Sequence, residues 1–133
     1  MQSFESDAEA RDRGSGTVLV VDDSPLVRRA VCSALLAEGF DVCGEAKDGR
    51  QAIEIAEKCS PDLIILDLSM PVMNGLQAAP VLRKLVPESP IILYTLYAKT
   101  AEQQLRALEV DLVLSKDEPL AKLMDKAHTL LDG

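Results

Sequence analysis

Short apolar runs alternate along the chain with segments that carry apolar residues at helical spacing, and this alternation limits the fold more than any other feature. The runs are typical of buried strands. The predicted strands cover residues 17–22, 41–46, 62–68, 91–95 and 111–114, and predicted helices cover 25–38, 50–59, 76–86, 99–108 and 119–131. Helices of this length between strands favour right-handed crossovers. We therefore predict an α/β fold with a doubly wound, five-stranded parallel sheet and five helices.

The length and composition predict one globular domain behind a short leader. The chain has 133 residues, of which 47% are hydrophobic, enough for a core without disulfides or metals. Residues 1–16 are polar and end in Gly-Ser-Gly, so we expect a disordered leader there. The domain is expected over 17–132.

Charge, hydropathy and cysteine content indicate which kinds of partner the chain is not expected to bind and in which cellular compartment it is expected. The formal net charge of −8 repels phosphate backbones, so no direct nucleic-acid binding is expected. No apolar run approaches the ~20 residues that span a bilayer, and no signal peptide is evident, so no membrane partner is expected. Three widely spaced cysteines, Cys32, Cys43 and Cys59, are expected to be reduced and mostly buried. We therefore predict a cytoplasmic location.

Two prolines carry positional information about helices. Ser24-Pro25 is typical of an N-cap followed by proline at the first helical position. Pro80 lies inside the third helical pattern, where it removes one backbone hydrogen bond. It is expected to kink that helix or to delay its start.

The polar residues at the carboxyl ends of the predicted strands are the main functional signal. Asp22 and Asp23 follow the first strand, Asp67 ends the third, Thr95 ends the fourth, and Lys116 follows the fifth. In doubly wound sheets the site lies outside these strand ends, at a switch in strand order. Each residue alone has an ordinary structural explanation, such as helix capping or β-propensity. Their joint placement at four strand ends favours a shared site.

Three converging carboxylates predict a magnesium-dependent phosphoryl site. A like-charged pair at ~4 Å costs about 4 kcal/mol at an effective dielectric constant near 20, which a cation relieves. Hard oxygen ligands suit Mg²⁺. A carboxylate can attack phosphorus to give an acyl phosphate, and cations then neutralise the equatorial oxygens. Asp67 is the expected nucleophile because it lies on the most apolar, central strand, with Lys116 and Thr95 to contact phosphoryl oxygens.

At this point the sequence resembles the receiver domains of two-component response regulators. The matching segments are VLVVDDSPLVRR, LIILDLSMPVMNGL, ILYT and LSKDEP, in the order and spacing of that family. The resemblance covers about residues 16–132. It implies a flavodoxin-like, CheY-like sheet in the order 2-1-3-4-5.

The resemblance also implies roles for residues. Asp23, Asp67 and the carbonyl of Ser69 would ligate Mg²⁺, and Asp22 would act mostly through water. Thr95 would move toward the phosphoryl group, changing a surface on helix 4, strand 5 and helix 5, and Lys116 would bridge to the phosphoryl group. The implied donor is a sensor histidine kinase or a histidine phosphotransfer protein, or a small acyl phosphate. A homodimer or a downstream output partner is the implied reader.

Four positions depart from the family pattern. Leu96 follows Thr95, where the family usually has a small residue, and Tyr97 comes next; both could shield the phosphate. Val113 replaces a frequent aromatic residue that couples to the threonine. Asp117 replaces a common proline after the lysine, a variant that resembles receivers joined to helix-turn-helix domains.

Other functions stay open at this stage. Leu96 and Val113 favour, as an alternative, a binding-only receiver that switches little. An aspartyl-phosphate phosphatase would need a second acid two residues after the nucleophile, where this chain has Ser69. A nucleotide- or flavin-binding domain would need a glycine-rich loop after the first strand. We expect slow self-dephosphorylation only, and hence no enzyme in the ordinary sense.

Overall fold

A computed structural model describes residues 16–103 and 109–132 of the chain. The predicted leader lies outside the described residues except for Gly16, and so does the second half of the predicted fourth helix. The strands are β1 Thr17–Val21, β2 Asp41–Ala46, β3 Leu63–Leu66, β4 Ile91–Thr95 and β5 Leu112–Ser115. The helices are α1 Pro25–Ala37, α2 Gly49–Cys59, α3 Gly75–Leu85, α4 Ala98–Gln103 and α5 Leu120–Asp132.

The five strands form one parallel sheet in the order β2-β1-β3-β4-β5. The predicted fold is therefore confirmed. Central strand β3 is buried along its whole length, as its uninterrupted Leu-Ile-Ile-Leu sequence requires. The strand order reverses between β1 and β3, which places the switch point between the strands that precede Asp22 and Asp67.

Alternate residues of the strands feed two apolar layers, one on each face of the sheet. Leu19, Ile64 and Leu93 pack with the alanines of α2 and α3, while Val20, Ile65 and Ile92 pack against α1 and α5. Both faces of the sheet are therefore covered by helices, and the functional groups remain at the strand ends.

Local capping signals explain where the helices begin. The Ser24 side chain accepts from the Val27 amide at the start of α1, with Pro25 as its first residue. In α3, the Asn74 and Gln77 side chains form a reciprocal capping box, and the helix begins at Gly75 despite Pro80. Pro80 does not delay the helix start, because the capping box fixes the first turn before the proline is reached; the alternative expectation, a kink at Pro80, stays a prediction.

The cysteines differ from expectation. Cys43 in β2 and Cys59 at the end of α2 form a disulfide, with Cα atoms 6.4 Å apart, within the range that a disulfide spans. Only Cys32 is a free thiol. The prediction that all three are reduced is wrong for this pair, because proximity across 16 residues of chain comes from strand–helix packing and not from a sequence motif.

Among the described residues, no helix is long and apolar enough to cross a membrane.

Candidate functional site

Four of the polar residues predicted to meet at the strand ends do so: Asp22, Asp23, Asp67 and Lys116. Asp22 and Asp67 are almost fully buried, at 3% and 5% exposure, whereas Asp23 is exposed. One carboxylate oxygen from each of Asp22, Asp23 and Asp67 lies within 4.8 Å of the other two. Burial of two ionisable acids beside a third is costly unless other groups compensate.

Lys116 is the compensating cation. Its ammonium lies 2.6 Å from Asp22 Oδ2 and 3.2 Å from Asp67 Oδ2. The residue is held in place because its main-chain N–H donates to the Thr95 carbonyl where β4 and β5 end. Burial lowers the pKa of Lys116, but its bonds and charges with Asp22 and Asp67 outweigh that effect, so the pKa is raised. The lysine is therefore a permanent cation at neutral pH.

One ammonium does not neutralise this group of carboxylates. The pKa of the Asp67 carboxyl is raised, first by burial and second by the charge of Asp22, with Lys116 and the Ser69 main-chain N–H opposing the rise. The site therefore has residual negative charge that favours a proton or a further cation.

The loop that carries Asp22 and Asp23 is held from three sides. The Asp22 amide donates to the Ala46 carbonyl of β2 at 3.0 Å, and Asp22 Oδ1 accepts from the Ser24 amide at 2.9 Å. Arg28 of α1 donates to the Asp22 carbonyl at 2.6 Å. This role of Arg28 could not be predicted from the sequence, because no local pattern marks a bond from a helix back to the preceding loop.

The loop after β3 is shaped by a glycine that the family motif contains. The Gly75 amide donates to the Leu68 carbonyl at 2.8 Å. A Cβ atom at Gly75 would clash with the Asp67 carbonyl oxygen and lie 2.9 Å from the Leu68 Cα. Because these are backbone atoms, only glycine allows α3 to begin this close to Asp67. In the same loop, Val72 has a left-handed backbone (φ 65°) and is 77% exposed.

Thr95 is fully buried at the end of β4, and its hydroxyl accepts from the Tyr97 amide at 3.2 Å. Leu96 and Tyr97 are exposed, at 62% and 55%. With Val113 they line an open cleft of about 540 Å³ between α4, β5 and the start of α5. The hydroxyl of Thr95 is thus tied directly to the backbone of the β4–α4 loop.

The donor set fits a hard divalent cation. It offers three carboxylates in close proximity, no thiolate or imidazole, and excess negative charge after Lys116 is counted. Both Asp22 oxygens already have partners in Ser24 and Lys116, whereas Asp23 is exposed. Asp23 is therefore the freer of the two neighbours to bind an ion directly.

Comparison with known proteins agrees with this fold. A family model described as the response regulator receiver domain matches residues 18–128, and the chain belongs to that family. A protein-glutamate methylesterase/protein-glutamine glutaminase of Archaeoglobus fulgidus is 42% identical over 117 residues, which cover 86% of this chain. The match spans 34% of that relative, about a third of its length, and the relative's activity is not thereby an activity of this chain.

Two solved structures place the likeness at the level of the whole domain. The chemotaxis protein CheY4 of Vibrio cholerae is 30% identical with a TM-score of 0.79, covering 87% of this chain and 98% of that one. The receiver domain of the sensor histidine kinase PA1611 of Pseudomonas aeruginosa is 26% identical with a TM-score of 0.80, covering 90% and 99%. It was solved with a magnesium ion coordinated in its active site cleft. The chain is thus a CheY-like receiver domain of the two-component class.

Proposed function

We propose that residues 17–132 form a phosphoryl-accepting switch in which Asp67 takes a phosphoryl group with the assistance of Mg²⁺. The observation that carries this proposal is the buried Asp67 carboxylate, close to two further acids and 3.2 Å from the Lys116 ammonium. This arrangement supports the proposal, because a phosphoryl group on Asp67 would lie within reach of the proposed cation ligands and of a fixed positive charge.

In this proposal Asp23, Asp67 and the Ser69 carbonyl hold the metal, and Asp22 acts mostly through water. When bound, Mg²⁺ neutralises phosphoryl oxygens so that a dianion can approach a carboxylate. Asp22, engaged by Lys116 and by the Ser24 amide, instead fixes the position of the lysine. Held there, the Lys116 ammonium lies beside Asp67 and can contact a phosphoryl oxygen on that carboxylate.

Thr95 is the proposed link to the rest of the molecule. A phosphoryl group adds close to two negative charges and strong hydrogen-bond acceptors beside Asp67. The Thr95 hydroxyl donates to it, and the Tyr97 amide bonded to that hydroxyl moves with it. Displacement of the β4–α4 loop then alters the cleft between α4, β5 and α5.

The proposed donor is a sensor histidine kinase or a histidine phosphotransfer protein, the class of partner with which receiver domains of two-component systems interact. The proposed reader is an output partner or a second copy of the chain. We propose no turnover beyond slow self-dephosphorylation. The cytoplasmic location stays a prediction.

A binding-only receiver is the second candidate, and a specific observation favours it. Val113 stands where the family often has an aromatic residue, and it lines an open cleft. Position 113 therefore has no aromatic ring that could move together with Thr95. Such a protein would take Mg²⁺ and phosphate without changing its α4–β5–α5 surface.

Intact mass measurement with Mg²⁺ and a small acyl phosphate tests the proposal. The wild-type chain should gain one phosphoryl group, Asp67→Asn should gain none, and Asp125→Asn, a change on the exposed side of α5, should behave like wild type. Absence of any adduct with acyl phosphates and with histidine donors would remove the covalent mechanism. Amide chemical shifts separate the two candidates, since changes reaching α4, β5 and α5 support switching and changes confined to the acidic cluster support the binding-only receiver.

A further inference from the structure

The strand β2, at one edge of the sheet, contains a bulge that presents Cys43 to the neighbouring helix. Val18 of β1 pairs with Val42, but the next residue, Leu19, pairs with Gly44. Cys43 is therefore the extra residue of a β-bulge, a feature that re-aims a side chain. It packs on the same face of the sheet as Leu19, the face covered by α2 and α3.

A glycine lets α2 come close to this bulge. A Cβ atom at Gly44 would lie 2.8 Å from Ile55 Cγ2, so a larger residue would have to displace the side chain that α2 packs against β2. Cys59 is the last residue of the same helix, which Ser60 ends with a left-handed backbone. The bulge and the close helix packing together bring Cys43 and Cys59 into bonding distance without any local cysteine motif.

We propose that Cys43 and Cys59 form a reversible thiol–disulfide site whose oxidant is a low-molecular-weight disulfide. One cysteine thiolate attacks a sulfur of the small disulfide, whose S–S bond breaks and releases one small thiolate. The second cysteine thiolate then attacks the mixed disulfide and releases the other small thiol. The two cysteines lose two protons and two electrons, and the small disulfide becomes two thiols.

The third cysteine is not a competing partner. Burial and the neighbouring Glu45 raise the pKa of the Cys32 thiol to about 11. Cys32 lies in α1, which covers the opposite face of the sheet from Cys43. Because the thiolate is the attacking species, a thiol that stays protonated exchanges slowly. The sheet also separates Cys32 from Cys43.

The cross-link fixes α2 to the edge strand at the end remote from the acidic cluster. At its other end α2 contacts the loop after β3, where the Gly49 amide donates to the Met73 carbonyl. Closing a loop with a separation of 16 residues should raise the folding equilibrium constant on the order of 100-fold. The inference is independent of the proposed function, since phosphoryl transfer at Asp67 should proceed in both redox states.

The test uses the full chain, equilibrated in buffers of oxidised and reduced glutathione. The oxidised protein should lose the mass of two hydrogens, and a non-reducing peptide map should join Cys43 to Cys59. Its Tm should exceed that of the reduced protein by roughly 10 °C. An excess of dithiothreitol should reverse both changes.

Matched cysteine variants complete the experiment. Cys43→Ser and Cys59→Ser should abolish the mass loss and the redox-dependent Tm, whereas Cys32→Ser should preserve both. A folded wild-type chain that stays fully reduced in oxidised glutathione overturns the proposal, as does a map that links Cys32. Equal Tm values for the oxidised and reduced wild-type chain, a comparison that needs no variant, overturn the claimed stabilisation.

Discussion

Replacement of the buried acid at position 67 should make the domain more stable while removing its proposed nucleophile. In Asp67→Asn the ionised carboxylate disappears from a site that contains Asp22 and Asp23 within 4.8 Å. At that distance and an effective dielectric constant near 20, repulsion from Asp22 is about 3.5 kcal/mol. Attraction to Lys116 at 3.2 Å is about 5 kcal/mol on the same scale.

The remaining contributions decide whether Asp67→Asn raises or lowers the free energy of unfolding. Asp23 repels as well, although its exposure to solvent screens that charge. Burial, the largest cause of the raised Asp67 pKa, further disfavours the charged form. We therefore expect Asp67→Asn to increase the free energy of unfolding by about 1–2 kcal/mol at pH 7.5 in the presence of a chelator.

The pH dependence follows from the raised pKa. Below about pH 4 the carboxyl is protonated in both the folded and the unfolded wild-type chain, so its ionisation costs the fold nothing. Stability of the wild type should fall as pH rises through the raised pKa of Asp67, and the advantage of the variant should grow over that window. Mg²⁺ should reduce the difference in free energy of unfolding between Asp67→Asn and wild type, because it binds the folded wild type more tightly than the folded variant.

Urea unfolding of wild type, Asp67→Asn and the exposed control Asp125→Asn at pH 4 and 7.5 measures these differences. A variant less stable than wild type at pH 7.5 would show that Lys116 outweighs burial and repulsion. If the free energies of unfolding of Asp67→Asn and wild type differed by the same amount at both pH values, ionisation of Asp67 would not be the cause of the difference.

Two further predictions concern the loop after β3. Gly75→Ala should destabilise the fold by about 2–3 kcal/mol, because the added Cβ meets the backbone of Asp67 and Leu68; an unchanged urea midpoint would contradict this packing. Val72→Asn should stabilise it by about 0.5–1 kcal/mol, because asparagine tolerates the left-handed backbone at φ 65° better than a β-branched residue. A lower Tm for Val72→Asn would indicate that contacts of the valine side chain stabilise the fold by more than the removal of backbone strain does.

Much of the site could be predicted because its determinants are local in sequence. Apolar runs identify strands, and acids directly after a run must lie at a strand's carboxyl end. Once the strands are parallel, Asp22, Asp67 and Thr95 fall on one edge regardless of packing detail. The start of α1 at Pro25 likewise follows from adjacent residues.

Contacts between distant residues were decided only by the tertiary structure. The shorter contact of Lys116 with Asp22 than with Asp67, and the bond from Arg28 to the Asp22 carbonyl, depend on how loops from different strands settle at the switch point. Cys43 meets Cys59 because a bulge shifts the register of β2 and a glycine admits α2. Periodicity and capping act over a few residues and specify the elements and their ends, whereas a bulge or a helix–strand distance is set by packing among segments far apart in the chain.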